Sequence, residues 1–197
     1  LSGERAMNKQ PLFRDPGEDD QREDGYSAPH GFLIGGLKPF ERVELAEQYL
    51  KAANLLVESI RKQQVGDFEI AYPVLFLYRH ALEVLIKHFL GKDVNHHRLD
   101  ALADELVRFV RDQHGETVPS WIVTRLREIA QIDPTSQAFR YGEDRYEPPQ
   151  RRPVPYETYV RVVELHDVMN TLYAVLRRAA DVAQQRSTAS PAPESSA

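Results

Sequence analysis

The 197-residue chain contains no cysteine. Disulfides, thiolate metal sites and cysteine nucleophiles are therefore excluded, and the composition fits a reducing compartment. No apolar run approaches the roughly 20 residues that cross a bilayer as a helix. The N-terminus lacks the basic-then-apolar pattern of a secretory signal. A cytoplasmic protein with no membrane partner is the expectation. Glycine-rich phosphate loops, nucleotide fingerprints and internal repeats are missing, and so is the two-residue alternation that marks strands. There is no excess of positive charge either: 25 Lys and Arg stand against 30 Asp and Glu, a formal net charge of -5. A strong non-specific DNA binder advertises a basic surface, and this chain does not, although a small basic groove fits the balance. The first residue is Leu1 rather than Met, which a non-standard start codon or a fragment would explain, with Met7 as an alternative start.

What is present is unevenly placed. Residues 1–31 carry Glu4, Asp15, Glu18, Asp19, Asp20, Glu23 and Asp24 against only Arg5, Lys9, Arg14 and Arg22. Such a segment, poor in apolar residues, buries too little surface to offset the entropy of ordering. It reads as a disordered acidic tail. The end of the chain, 187–197, is low-complexity and reads as a second disordered tail. Between them, residues 32–186 are nearly charge-balanced and long enough for one helical domain. Phe32-Leu33-Ile34 is an apolar stretch suited to docking on that domain.

Five helices are predicted. The first starts at Pro39 and runs to about Gln63, with Val43, Ala46, Leu50, Ala53, Leu56, Val57 and Ile60 repeating at three- and four-residue spacing. The second runs from an N-cap at Asp67 to Leu90 and stops at Gly91; Pro73 either kinks it or marks its true first turn. Its apolar residues point in nearly every direction, so it belongs in the middle of a bundle. The third spans Leu99 to Gln113, capped by Asn95 or His97 and ended by Gly115. The fourth follows an N-cap at Ser120 and ends before Asp133-Pro134. The fifth runs from near Pro155 to Gln185. Residues 133–155 form a long irregular connection with five prolines, a length that is unusual in a compact domain and often functional. The fold class is all-α, a helical bundle.

Four residue groups could carry chemistry. Arg79, Glu83 and Lys87 lie at i, i+4 and i+8 on the most apolar helix, next to His80. An unpaired buried charge costs several kcal/mol, so these form either an internal polar seam or a site facing a cleft or second subunit. Arg140 sits between Phe139 and Tyr141 in the long connection. Aromatic anchors on both sides would aim its guanidinium at a phosphate or carboxylate; alternatively it bonds Asp133, Glu83 or helix carbonyls. His88, Asp93, His96 and His97 have a spacing that reads more readily as helix capping and solvation than as metal ligation, and no cofactor is expected. Arg145, Arg151 and Arg152, with Tyr146 and Tyr156, interleave cations and aromatics as single-stranded RNA grips do, diluted by Glu143, Asp144 and Glu147.

Three blocks taken together, FLYRHALEVLIKHFL (76–90), HHRLDAL (96–102) and DPTSQAFRYGED (133–144), resemble a bacterial branch of the HEPN superfamily in order and spacing over about residues 39–180. The resemblance implies an α-helical bundle that often dimerises. Many such proteins are metal-independent ribonucleases in toxin–antitoxin, phage-defence or RNA-processing systems, and others are non-catalytic partners of nucleotidyltransferases. Catalytic members carry an Arg, then a polar residue, then a His four to six residues after the Arg. Here Arg140 is followed by Tyr141-Gly142-Glu143-Asp144-Arg145-Tyr146, without a His. Arg108 with His114, and Arg161 with His166, meet the bare spacing, but Phe109 and Val162 stand where the polar residue belongs; both read as coincidence.

The expectation is a HEPN-like module that binds RNA or a partner protein without hydrolysis, as a homodimer across the second and fifth helices. One alternative is a divergent ribonuclease in which Arg140 and Arg79 stabilise transition-state charge and His80 is the acid or base. Another is a pure assembly protein. Glu83, Lys87, Tyr141, Arg145, Arg151 and Arg152 are the expected binding residues.

Overall fold

A computed structural model describes residues 41–91, 94–141, 154 and 157–189. The expected N-terminal tail, most of the expected C-terminal tail, Pro39, Phe32-Leu33-Ile34 and most of the proline-rich connection lie outside the described residues. The described residues are all-helical, without a strand. The helices are α1 (Arg42–Arg61), α2 (Ala71–Leu90), α3 (Leu99–His114), α4 (Ser120–Ile132), α5 (Ala138–Tyr141) and α6 (Val162–Ala189), with one 3₁₀ turn at Asp67–Glu69.

α2 is the central element, packed most extensively on α1 and also against α3, α5 and α6. The continuous run Ala81 to Ile86 is buried, as are Val74, Tyr78, Arg79, Phe89 and Leu90. A helix buried on consecutive positions has neighbours on every side. Leu82, Leu85 and Ile86 are sealed from solvent, and each contributes about 1.5–3 kcal/mol by burial. α1 brings Val43, Ala46, Ala53 and Val57 to this core, and α6 brings Met169, Leu172, Tyr173, Leu176 and Ala180. α3 and α4 pack on each other, and Leu102, Leu106, Ile122 and Leu126 from them are buried in the core.

One polar cluster ties three helices together. Asn54 of α1 and Asn170 of α6 exchange amide hydrogen bonds of 2.9 and 3.0 Å. The Tyr78 hydroxyl of α2 donates to Asn54 Oδ1 at 2.7 Å. Burial pushes the Tyr78 hydroxyl up to about 12, since the phenolate would lose its solvation.

The glycine stops fall where expected. Gly91 and Gly115 have φ of 65° and 64°, the left-handed geometry that ends helices and that a Cβ disfavours. Several boundaries differ from expectation. Asp67 does not cap α2: its carboxylate accepts the Phe68 N–H at 2.8 Å inside the 3₁₀ turn, and α2 begins at Ala71. Pro73 thus lies in the first turn, where no intrahelical N–H bond is lost. Ser120 is the first residue of α4 and Pro119 its cap. Neither Asn95 nor His97 caps α3, because Arg98 takes that position and His97 turns instead to Glu83. α5 is a four-residue helix within the expected irregular segment. α6 starts at Val162, seven residues after Pro155, and its backbone continues to Ala189, past the expected tail boundary.

Candidate functional site

Arg79 shapes the region from inside. Its side chain is completely buried, as is Glu83 apart from 1%. Arg79 Nη1 donates to Glu83 Oε2 at 2.9 Å, Nη2 to the His97 carbonyl at 2.7 Å, and Nε to the Asp133 carbonyl at 3.2 Å. Asp133 Oδ2 lies 3.2 Å from the same Nε as an ion pair, without an aligned N–H of its own. The other Asp133 oxygen accepts the Ala138 N–H at 3.0 Å. One guanidinium therefore joins α2, the strap before α3, and the joint between α4 and α5. Glu83 completes the network outward, its Oε1 taking Lys87 Nζ at 3.0 Å and His97 Nδ1 at 2.7 Å. Burial alone would raise the Glu83 carboxyl, but the His97 and Lys87 hydrogen bonds, with the charges of Lys87 and Arg79, hold it below the ordinary value.

This arrangement places the proposed catalytic Arg79 where nothing from solvent reaches it. Glu83 is likewise spent on internal partners. Of the four polar residues expected on this helix, only Lys87 at the edge of the network and His80 keep exposed surface.

His80 lies on another side of α2. Its ring stacks on Phe76, one turn earlier, with centroids 5.4 Å apart and planes 14° from parallel. The Tyr49 ring of α1 meets it edge-on at 4.4 Å. Burial lowers the His80 pKa, with nearby Arg140, Arg79 and His97 acting the same way and Glu83 opposing. The imidazole is therefore neutral at pH 7 and able to accept a proton.

Arg140 comes to the same ring from α5. The α5 turn starts where Asp133 holds the Ala138 N–H, so the internal network sets its position. Ser136, at φ 64°, directs its carbonyl to the Arg140 Nε at 2.7 Å. The guanidinium lies 5.7 Å from the Phe76 centroid and 5.6 Å from the Tyr141 centroid, within cation–π range. Arg140 is exposed, and Tyr141 is 57% exposed. Phe139 anchors the turn, buried, with Tyr72 edge-on at 6.2 Å. The expected aromatic flanks of Arg140 thus divide the work: Phe139 points inward and Tyr141 outward.

Tyr49, Phe76 and Tyr72 belong to this patch and were absent from the expected site. The signal for two of them lies in the sequence: Tyr72, Phe76 and His80 follow one another at four-residue steps on one face. Tyr49 carries no such signal, because it arrives from another helix.

The remaining candidates lie elsewhere. His96 Nε2 meets Glu105 at 3.0 Å, and no group of three or more potential ligands for a metal occurs among the described residues. His114 meets Phe109 edge-on at 5.7 Å, and His166 Nδ1 lies 3.1 Å from Asp167. Arg145, Arg151, Arg152, Tyr146, Tyr156 and Asp93 fall outside the described residues. A cleft of about 420 Å³ opens between α2, α3 and α6, over Phe89, Val110, Val175 and Val182. His114 lines it, whereas Arg79, His80, Glu83, Lys87, Arg140 and Tyr141 do not. No described helix is long and apolar enough to cross a membrane.

Comparison of the chain with family models, curated proteins and solved structures finds no match.

Proposed function

We propose that this chain is a HEPN-like helical module that binds RNA without hydrolysing it. The observation that carries this reading is the exposed patch in which Arg140 is steered by Ser136 onto Phe76 and Tyr141, beside His80. A positioned guanidinium among aromatic faces suits phosphate and base contacts. The other residue proposed for transition-state charge, Arg79, is consumed inside the fold, and no His follows Arg140 at the spacing of the catalytic motif. A homodimer across α2 and α6, and a place in a bacterial defence or toxin–antitoxin system, go with the HEPN-like reading. A partner protein covering the same patch is the competing form of a binding module.

One observation favours a second reading, a divergent metal-independent ribonuclease. His80, neutral at pH 7, and Arg140 approach the same Phe76 ring, a pairing of proton acceptor and cation that in-line cleavage of RNA requires. A single experiment separates the two. Purified protein is incubated in EDTA with labelled tRNA and total RNA, beside Arg140→Ala. The binding reading predicts shifted, intact RNA with wild type and a weaker shift with the variant. Cleavage by wild type alone establishes the ribonuclease. Intact, unshifted RNA throughout contradicts both and moves the search to protein partners.

A further inference from the structure

The patch is small and local. It is built from one four-residue helix, the first half of α2 and Tyr49 of α1. Among the described residues, Arg140 is the exposed arginine that lies over the Phe76 and Tyr141 rings. A duplex buries its base faces and is gripped through many phosphates along a basic track. Nothing of that kind is spread over the described bundle, where exposed arginines are mostly paired with carboxylates, as Arg98 is with Asp100, Arg125 with Glu128 and Arg127 with Asp104. Arg140 differs: its Nε is spent on the Ser136 carbonyl, and no carboxylate pairs with it among the described residues. Beside it stands an aromatic face with 57% of Tyr141 exposed. His80 has its ring flanked by Tyr49 and Phe76 and makes no hydrogen bond among the described residues.

Building on the RNA-binding reading, we infer that Arg140, Tyr141, Phe76 and His80 form a site for one unpaired nucleotide of a single-stranded RNA, phosphate on the Arg140 guanidinium and base against the aromatic rings. Stacking on a side chain needs a base free of its pair, so the site selects single strand over duplex. It is tolerant of base identity, because every base offers a π-face.

A consequence follows for protons. The groups that act on His80 are Glu83 and Arg79 of α2, Arg140 of α5 and His97 of the strap before α3, while α1 contributes the uncharged Tyr49. A phosphate arriving beside Arg140 offsets that cation and favours the imidazolium. Binding therefore takes up a proton and tightens as the pH falls.

The test is fluorescence anisotropy on the full chain with a 5′-labelled single-stranded RNA of about ten nucleotides, and with the same strand annealed to its complement. The expected result is a single-strand preference of about tenfold or more, and a loss of about fivefold or more in both Arg140→Ala and Tyr141→Ala. Both variants are at exposed positions and should melt at the wild-type temperature. His80→Phe keeps an aromatic ring in the stack but cannot take up a proton, so it should lose the gain that wild type shows on acidification. Equal affinity for duplex, or wild-type binding by Arg140→Ala and Tyr141→Ala, overturns the site while leaving RNA binding standing. A pH gain undiminished in His80→Phe removes His80 from it. Failure to bind either RNA form overturns the RNA-binding reading itself.

Discussion

Replacing Glu83 by Leu should be among the most damaging single substitutions in this fold. The volume is nearly conserved, so the cost is electrostatic. Arg79 is fully buried, and Glu83 supplies its 2.9 Å ion pair. Without it, the guanidinium keeps only Asp133 as a charged partner, at 3.2 Å and poorly aligned. Stripping one partner from a buried pair typically costs about 3–5 kcal/mol. In a domain of this size that lowers the melting temperature by about 6–20 °C. Arg79→Met leaves Glu83 its Lys87 and His97 partners, but it strands Asp133, which is wholly buried and otherwise holds only the Ala138 N–H. It should therefore also destabilise. The double variant removes both charges of the 2.9 Å pair, and its cost should fall below the sum of the singles by about 1–3 kcal/mol. Urea denaturation of the four proteins, with linear extrapolation, measures this directly. Additivity within about 0.5 kcal/mol would mean that the pair is not coupled and that the network does not hold the fold as described.

The Asn54 cluster offers a neutral counterpart. Asn54→Ala leaves the buried Tyr78 hydroxyl and the Asn170 amide short of a partner and should cost about 1–3 kcal/mol in the same assay. Gly91→Ala meets no atom within 4 Å, so its cost should be only the backbone term, about 1 kcal/mol. The pH dependence of stability has a definite sign. The folded pKa of His80 is below its ordinary 6.5, so unfolded chains bind the proton first, and the stability present above pH 6.5 is lost as the pH falls through the folded value. His80→Phe should flatten melting curves recorded between pH 7 and 5, and an unchanged slope would contradict the half-buried neutral imidazole. Glu83, also lowered, contributes stability above about pH 4.5 that disappears on further acidification.

The bundle was largely legible in the sequence because its helices announce themselves twice, through three- and four-residue apolar spacing and through Gly91 and Gly115. The pairing of Arg79 with Glu83 was legible for the same reason, being local to one helix. Its completion was not: Asp133 is 54 residues away, and the His97 carbonyl carries no side-chain signal. α5 escaped because four residues are too few to show a period. The late start of α6 at Val162 escaped because Pro155, Tyr156 and the residues after them suit an extended segment as well as a helix entry. Asn54 and Asn170 passed unnoticed, since only the packing of α1 on α6 reveals that two polar residues face each other. In the candidate site, Arg140 was visible from its aromatic neighbours, whereas its meeting with His80 on Phe76 depends on the α5 turn that Asp133 anchors.

Photo-crosslinking of the full chain to a uridine-rich single-stranded RNA, followed by trypsin digestion and mass spectrometry, tests the central claim most directly. If the Arg140 patch is the RNA-binding surface, uridine adducts concentrate in the peptides 63–79, which holds Phe76 and Tyr72, and 141–145, which begins with Tyr141. Adducts confined to α3, α4 or α6, or RNA that binds without any adduct in those two peptides, would contradict the account.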